Sequence, residues 1–362
     1  MFVAWRDLRF AKGRFALMGT VVVLITLLVG LLSGLTAGLA RENTSAITGL
    51  AADHLAFAAP PDGRSVSFTD SAVEERAWRS WAKRPGVEDA QPLGIRTLNA
   101  AGRGGLTSAV SAFGVEPDSG LAPPGTRVAN GQVVLSEQAA EDLAAGPGDR
   151  LRLGSAGVTV SAVAGDASYS HTSVVWTSLD DWQHLGGDGD GRGLHATVIA
   201  LTTNGGADLA AGDEAAGTST LSRGDSLTAI GSYQAENGSL QLMRGFLFAI
   251  SALVIGAFFT VWTIQRSGDV AVLKALGAST RYLLRDALGQ AVVMLALGTG
   301  AGTALAAGIG AVISGGAVPF VLDAATVLVP AAVMIVLGAL GAALSIRRIT
   351  AVDPLTALGS AR

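Results

Sequence analysis

The sequence has no cysteine, so it forms no disulfide and offers no thiol nucleophile or thiolate metal ligand. It is also short of charge. Only 15% of the 362 residues are charged, whereas soluble domains carry nearer a quarter. With 49% hydrophobic residues and a mean hydropathy of +0.46, the chain needs three or four membrane segments to account for this composition. Lysine is confined to Lys12, Lys83 and Lys274 while arginine is plentiful, which reads as genomic base composition. None of the three lysines lies in a GxxxxGK[ST] loop, so an ATP-driven process would need its ATPase on another chain. The four histidines, His54, His171, His184 and His195, form no HExxH or close pair, which argues against zinc. Asp180, Asp181, Asp188 and Asp190 fit no twelve-residue calcium loop. No glycine-flanked serine elbow points to hydrolysis. No catalytic residue and no metal site are expected.

What remains is strongly partitioned. From Arg41 to Gly238 there are 24 acidic and 13 basic residues, a net of −11; the rest of the chain carries a net of +7. An acidic block between basic membrane borders is what the positive-inside rule produces when the block lies outside. So acidic a soluble part excludes nucleic acid as a partner. Residues 1–14 mix Phe2, Trp5, Leu8 and Phe10 with Arg6, Arg9, Lys12 and Arg14, as an interfacial amphipathic helix on the cytoplasmic face does. Residues 15–40 then run without a charge. A cleaved secretory signal is the rival reading, but the stretch exceeds a signal's apolar core of about 7–15 residues and reads as a retained first span. Further spans are expected at 240–265, 287–316 and 324–346, with a cytoplasmic loop at 266–286, Asp323 in an outer loop and a cytoplasmic tail at 347–362. The expected fold class is a membrane α-helical protein of four transmembrane helices, with a large extracytoplasmic α+β domain (41–239) inserted between the first two.

Within the inserted block, Gln132–Leu135 reads as a strand and Ser136 as the N-cap of a helix over 137–145, with Glu137 in its first turn. Pro147, Gly148 and Asp149 mark a turn before paired strands at 151–153 and 158–163. Residues 174–176 read as a strand, and Ser178 or Leu179 opens a helix reaching His184. Residues 74–84, EERAWRSWAKR, suggest a surface helix, and 186–193 a glycine–aspartate loop.

The most informative stretch is Thr263 to Thr280, TIQRSGDVAVLKALGAST. Arg266, Lys274, Arg281 and Arg285 make a basic segment between two apolar runs, the mark of a cytoplasmic loop. Asp269, Val272, Leu273 and Leu276 recur at helical spacing on one face, and Gly277 suits a helix C-cap. An ordinary loop with incidental helicity is the bland alternative. The stretch resembles the coupling element of MacB/FtsX-type (type VII) ABC transporter permeases, where a T…R…EIGVLRALGAS-like pattern recurs. Here Asp269-Val270-Ala271 replaces Glu-Ile-Gly, keeping charge and hydrophobicity. The ending SIRRITAVDPLTALGSAR, with Arg347, Arg348, Pro354 and Leu358, matches the family's R…xPxxAL ending, and VVLSEQAAEDLAAGPGDRLRLGSAGVTVSAVAG resembles its periplasmic domain. The resemblance implies a homodimeric permease in a bacterial cell membrane, coupled to a separate ATPase that binds the ATP, with Arg266, Asp269, Val272, Leu273, Lys274, Leu276 and Gly277 as the docking element.

Gly30, Gly34 and Gly38 form a small-residue stripe in the first span, fit for a homodimer seam or a seam with the second span; common glycine in a glycine-rich chain is the alternative. Glu236 and Met243 share one face of the second span, with Arg244 beside them; interface anchoring is the simpler reading. The sharper one is a ligand site: a thioether and a carboxylate suit haem iron, and Arg244 a propionate. Glu42 is a secondary candidate, with Arg41 beside it an equal candidate for simple anchoring. The stretch from Ser232 to Arg266 also resembles haem-exporter permeases of the HrtB and DevC-like kind, which puts haem first among amphipathic substrates, before a lipid, peptide or drug-like compound. An FtsX-like regulator that relays ATPase state to an external enzyme without transport is the alternative function.

Overall fold

The computed structural model describes residues 12–185, 195–265, 268, 272, 274, 276–313 and 318–350. The chain forms two compact units, one of Leu39–Gly238 and one of Met1–Gly38 with Ser239–Arg362. Residues 1–11, the glycine–aspartate loop, Arg266, Asp269, Leu273 and the tail from 351 lie outside the described residues.

Helix α1 (Lys12–Thr48) does not stop at the end of the uncharged stretch but runs roughly two turns beyond Arg41. The reason is packing: Ala46, Ile47 and Leu50 are buried against the inserted unit's sheet. That unit follows with β1 (His54–Ala58), β2 (Val73–Glu74), α2 (Glu75–Trp81), β3 (Val87–Ala101), β4 (Thr107–Val115) and β5 (Gln132–Leu135). Then come α3 (Glu137–Asp142), β6 (Arg150–Leu153), β7 (Ala156–Val163), β8 (Ser168–Tyr169), β9 (Thr172–Ser178) and α4 (Leu179–His184). The unit closes with β10 (His195–Ala196), β11 (Val198–Thr203), α5 (Leu209–Ala216) and β12 (Thr218–Ser222).

The main sheet runs β12-β1-β11-β3-β4-β9-β5-β7-β6, with β8 paired to β9. β6 returns to β3 at Ala100 and Ala101, so six strands form a hydrogen-bonded ring. Near-continuous apolar strands arise because both faces are covered. Alternate residues point to opposite sides: Ile199 and Leu201 of β11 enter one core with Trp81, Leu135 and Trp182, whereas Val198 and Ala200 enter the other with Ile47, Phe57 and Trp176.

Local signals work as chemistry dictates. Ser136 Oγ accepts from the Ala139 amide at 3.3 Å and Ser178 Oγ from that of Asp181 at 3.1 Å, each satisfying an orphan donor of the first turn. Gly148 takes a positive φ of 90° in the turn before β6. α3 is shorter than its sequence suggests, ending at Asp142 with Ala144 already left-handed. α2 lies at the surface, with Arg76 and Arg79 exposed, but its other face is core: Trp81 is fully buried, its indole N–H donates to Thr218 Oγ1 at 3.1 Å, and Gly212 of α5 makes room for its ring.

Helices α6 (Gly231–Gln265), α7 (Thr280–Ile313) and α8 (Ala324–Thr350) complete the chain. Among the described residues, these three and α1 are the four helices long and apolar enough to cross a membrane. Met18, Val22, Phe259, Leu295 and Met334 form their shared core, while Leu24, Leu253, Leu297 and Leu328 are exposed as lipid-facing residues are. Hydroxyls bond back to carbonyls four residues earlier, as Ser251 does to Leu247 at 2.6 Å. Asp323 caps α8, accepting from the Thr326 amide at 2.6 Å, and hydrogen bonds from Thr326 hold its carboxyl below the usual range.

Candidate functional site

The polar cluster most unlike its surroundings lies within the inserted unit, where the last turns of α1, the β8–β9 hairpin and the first turns of α6 converge. The hairpin turns on two residues, Ser170 and His171, with φ of 50° and 60°. Tight hairpins of this kind demand positive φ at both central positions and usually carry Asn-Gly. Two residues with side chains in that conformation store strain that surrounding contacts must over-determine. Those contacts are present. The Ser170 amide donates to the Asn43 carbonyl at 3.0 Å and the His171 amide to the Glu42 carbonyl at 3.3 Å. Ser45 Oγ accepts from the Ser168 amide at 2.8 Å and donates to its carbonyl at 3.2 Å.

The side chains complete the cluster. His171 Nε2 lies 3.0 Å from each carboxylate oxygen of Glu236, and its Nδ1 lies 3.5 Å from Glu42 Oε2. Asn43, only 1% exposed, donates to Glu236 at 3.1 Å, stands 2.9 Å from His171 Nε2 and accepts from Ser232 Oγ at 2.5 Å. Ser232 in turn meets Ser170 Oγ at 2.8 Å. A ring protonated on both nitrogens would donate to both glutamates. These side chains are 30–45% exposed, so ion pairing among them would contribute little; the buried amide organises the cluster. Because the two glutamates meet opposite ring nitrogens, they do not converge on one point, and among the described residues no group of three metal-ligating side chains forms.

Glu236 and Glu42, chosen from sequence, are thus brought to one histidine that sequence reasoning left as an ordinary surface or core residue. The signal that could have found it is the Tyr-Ser-His-Thr turn without glycine. Nearby, Arg41 pairs with Asp166 at 2.5 Å. Met243, 52% exposed, and the half-buried Arg244 stand further along the same α6 helix. In the segment after α6, Val272 and Leu276 are 54% and 79% exposed. The Leu276 amide donates to the Val272 carbonyl at 3.0 Å, and Gly277 ends this turn at φ 94°. The glycine stripe faces inward within the chain. A methyl at Gly30 would fall 2.8 Å from Ala306 of α7, one at Gly34 2.2 Å from Phe320, and one at Gly38 2.0 Å from the Pro319 carbonyl. Within the chain its partners are α7 and residues 319–320. Gly298 and Gly302 of α7 answer it: a methyl there would meet Val22 at 2.8 Å and the Val23 carbonyl at 2.6 Å.

Four apolar helices with one large domain inserted after the first define a membrane permease architecture. The MacB-like periplasmic core domain matches residues 15–219, and the FtsX-like permease C-terminal domain matches residues 242–354. The chain belongs to the MacB/FtsX-type family of ABC transporter permeases. A protein of Staphylococcus haemolyticus named for a hemin transport system permease, HrtB, is 26% identical over 99% of both chains, and one of Staphylococcus epidermidis so named is 23% identical over the same shares. An uncharacterized ABC transporter permease of Mycobacterium tuberculosis is 26% identical over 99% of both. The extracellular domain of the ABC-type transporter YknZ is 11% identical with a TM-score of 0.36, covering 47% of this chain and 98% of that one.

Proposed function

We propose that this permease exports an amphipathic substrate, with haem first, and is driven by a separate ATPase subunit that binds and hydrolyses the ATP. The observation carrying the substrate is end-to-end likeness, over 99% of both chains, to proteins named for hemin transport. The residue chemistry agrees: Glu236 and Met243 offer a carboxylate and a thioether on one helix, with Arg244 adjacent for a propionate. They lie about 10 Å apart along the axis at 1.5 Å per residue, so both meet one iron only if two copies of the chain contribute. A homodimer in a bacterial cell membrane, with both termini and the 266–286 segment cytoplasmic and residues 41–239 outside, supplies that geometry.

Transport in this reading is mechanical. ATP closes the partner ATPase dimer, the helix around Val272 and Leu276 moves with it, and the spans and outer domain switch between two arrangements. The exposed apolar side chains of Val272 and Leu276 suit a protein-docking face. Haem titration of the purified chain tests the substrate. Saturable binding with a shifted Soret band is expected; absence of saturable binding would move the substrate to a lipid, a hydrophobic peptide or a drug-like amphiphile.

A further inference from the structure

Three asparagines in the chain precede a glycine: Asn130, Asn204 and Asn237. Glycine leaves the following amide nitrogen without a Cβ to shield it. Each of the three side chains therefore has an intramolecular nucleophile one residue away, and the structure treats the three differently. Asn237 lies inside α6, where the Gly238 amide belongs to the helical ladder. The Gly131 amide donates to the Asp181 carboxylate at 2.7 Å, and the Asn130 side chain donates to Asp180 at 3.1 Å. Both groups that would have to meet there are held elsewhere.

Asn204 stands in the connection between β11 and α5 and is exposed, as is Gly205. Gly205 has a φ of 79°, and among the described residues its amide donates to no acceptor. The Asn204 amide donates to the Gly86 carbonyl at 3.1 Å, which fixes the main chain at the end of β11. The Gly206 amide donates to the Asn204 side-chain oxygen at 3.1 Å. That bond folds the carboxamide back over the main chain and polarises its carbonyl. It strengthens as the oxygen takes up negative charge, as a donor in an oxyanion hole does.

We propose that Asn204 is a self-modification site, converting to aspartate and isoaspartate in the folded permease. The Gly205 amide nitrogen, its proton taken by solvent base, forms a bond to Asn204 Cγ. The bond from Cγ to the side-chain nitrogen then breaks, and that nitrogen leaves as ammonia with a proton from solvent. Water adds to one of the two carbonyl carbons of the resulting succinimide and opens the ring. The net reaction consumes water and releases ammonia. Opening at the main-chain carbonyl gives isoaspartate, with a free carboxylate and an extra methylene in the chain. The methylene enters a tightly packed connection, since a methyl at Gly86 would already fall 2.6 Å from the Ala207 nitrogen. The proposal is independent of haem export, because none of these residues belongs to the Glu42–His171–Glu236 cluster.

Ageing the full-length permease in detergent at mildly alkaline pH tests it. Peptide mapping by mass spectrometry reads the replacement of NH₂ by OH at each asparagine, and the same chain digested before ageing serves as the unfolded reference. In the intact permease, Asn204 should convert about tenfold faster or more than Asn130 and Asn237, with isoaspartate among its products. In the digest the three should convert at comparable rates. Conversion of Asn204 no faster than that of Asn130 or Asn237 in the intact permease overturns the proposal. So does a lead of the same size in the digest, which would make local sequence the cause in place of the fold.

Discussion

His171 Nε2 stands 3.0 Å from both carboxylate oxygens of Glu236, across 65 residues of sequence. The contact ties a strained hairpin tip to the opening turns of α6, and the same histidine reaches Glu42 of α1 through its other nitrogen. Three elements are therefore joined through one imidazole and one buried amide.

Asn43 is the member whose loss should be felt most. It is buried and serves Ser232, Glu236 and His171 at once. Asn43→Ala should destabilise the inserted unit by about 2 kcal/mol, the cost of stranding buried partners. Thermal unfolding followed by tryptophan fluorescence would show a transition several degrees lower. An unchanged midpoint would remove the amide from its organising role.

The helix seam gives a contrast between near neighbours. A methyl at Gly302 would sit 2.6 Å from the backbone carbonyl of Val23, whereas at Gly300 it would meet nothing within 4 Å. Gly302→Ala should cost about 1–3 kcal/mol by overpacking, and Gly300→Ala little. Yields of folded protein and melting in detergent read the difference. Equal behaviour would mean that α1 and α7 do not approach closely.

Haem binding should depend on Glu236 and Met243. Glu236→Ala or Met243→Ala is expected to shift or abolish the Soret band of the purified permease. His171→Ala should alter it less, because the ring touches the carboxylate without being assigned to the iron. If both Glu236→Ala and Met243→Ala bind haem as the wild type does, the site lies elsewhere.

Topology can be tested cleanly, since the chain has no cysteine of its own. Ser119→Cys should react with an impermeant thiol reagent in intact cells, and Ser279→Cys only after lysis. The opposite pattern would reverse the orientation drawn from the −11 and +7 charge partition.

Much of the fold was legible where local chemistry decides it. Ser136 and Ser178 stand between an apolar strand and an acidic first turn, and each caps its helix as the pattern implies. The four apolar runs needed only length and composition. β3 was not legible, because its fifteen residues include Pro92, Gly94 and Arg96 and answer to β11, β4 and β6 in turn. The extension of α1 past Arg41 was hidden for a similar reason, since Ile47 and Leu50 find their burial on a distant sheet. At the site, Glu42 and Glu236 could be singled out as charges beside apolar runs. His171 was marked only by its glycine-free turn, and its role there was hidden because its partners are 129 and 65 residues away. The glycine stripe was visible, but its partners, Ala306, Pro319 and Phe320, are set by tertiary packing alone.

The most direct test of export is ATP-driven haem movement in proteoliposomes holding the permease with the ATPase that copurifies with it. Leu276→Asp, at a side chain 79% exposed and so tolerated by the fold, serves as the uncoupled control. A charge on an apolar docking face would be desolvated at the contact, costing several kcal/mol if unpaired. The account predicts ATP-dependent haem transfer by the wild-type assembly, and loss of transfer and of ATPase association in Leu276→Asp with insertion unchanged. An assembly that hydrolyses ATP yet moves no haem, or a Leu276→Asp permease that transports as the wild type does, would contradict it.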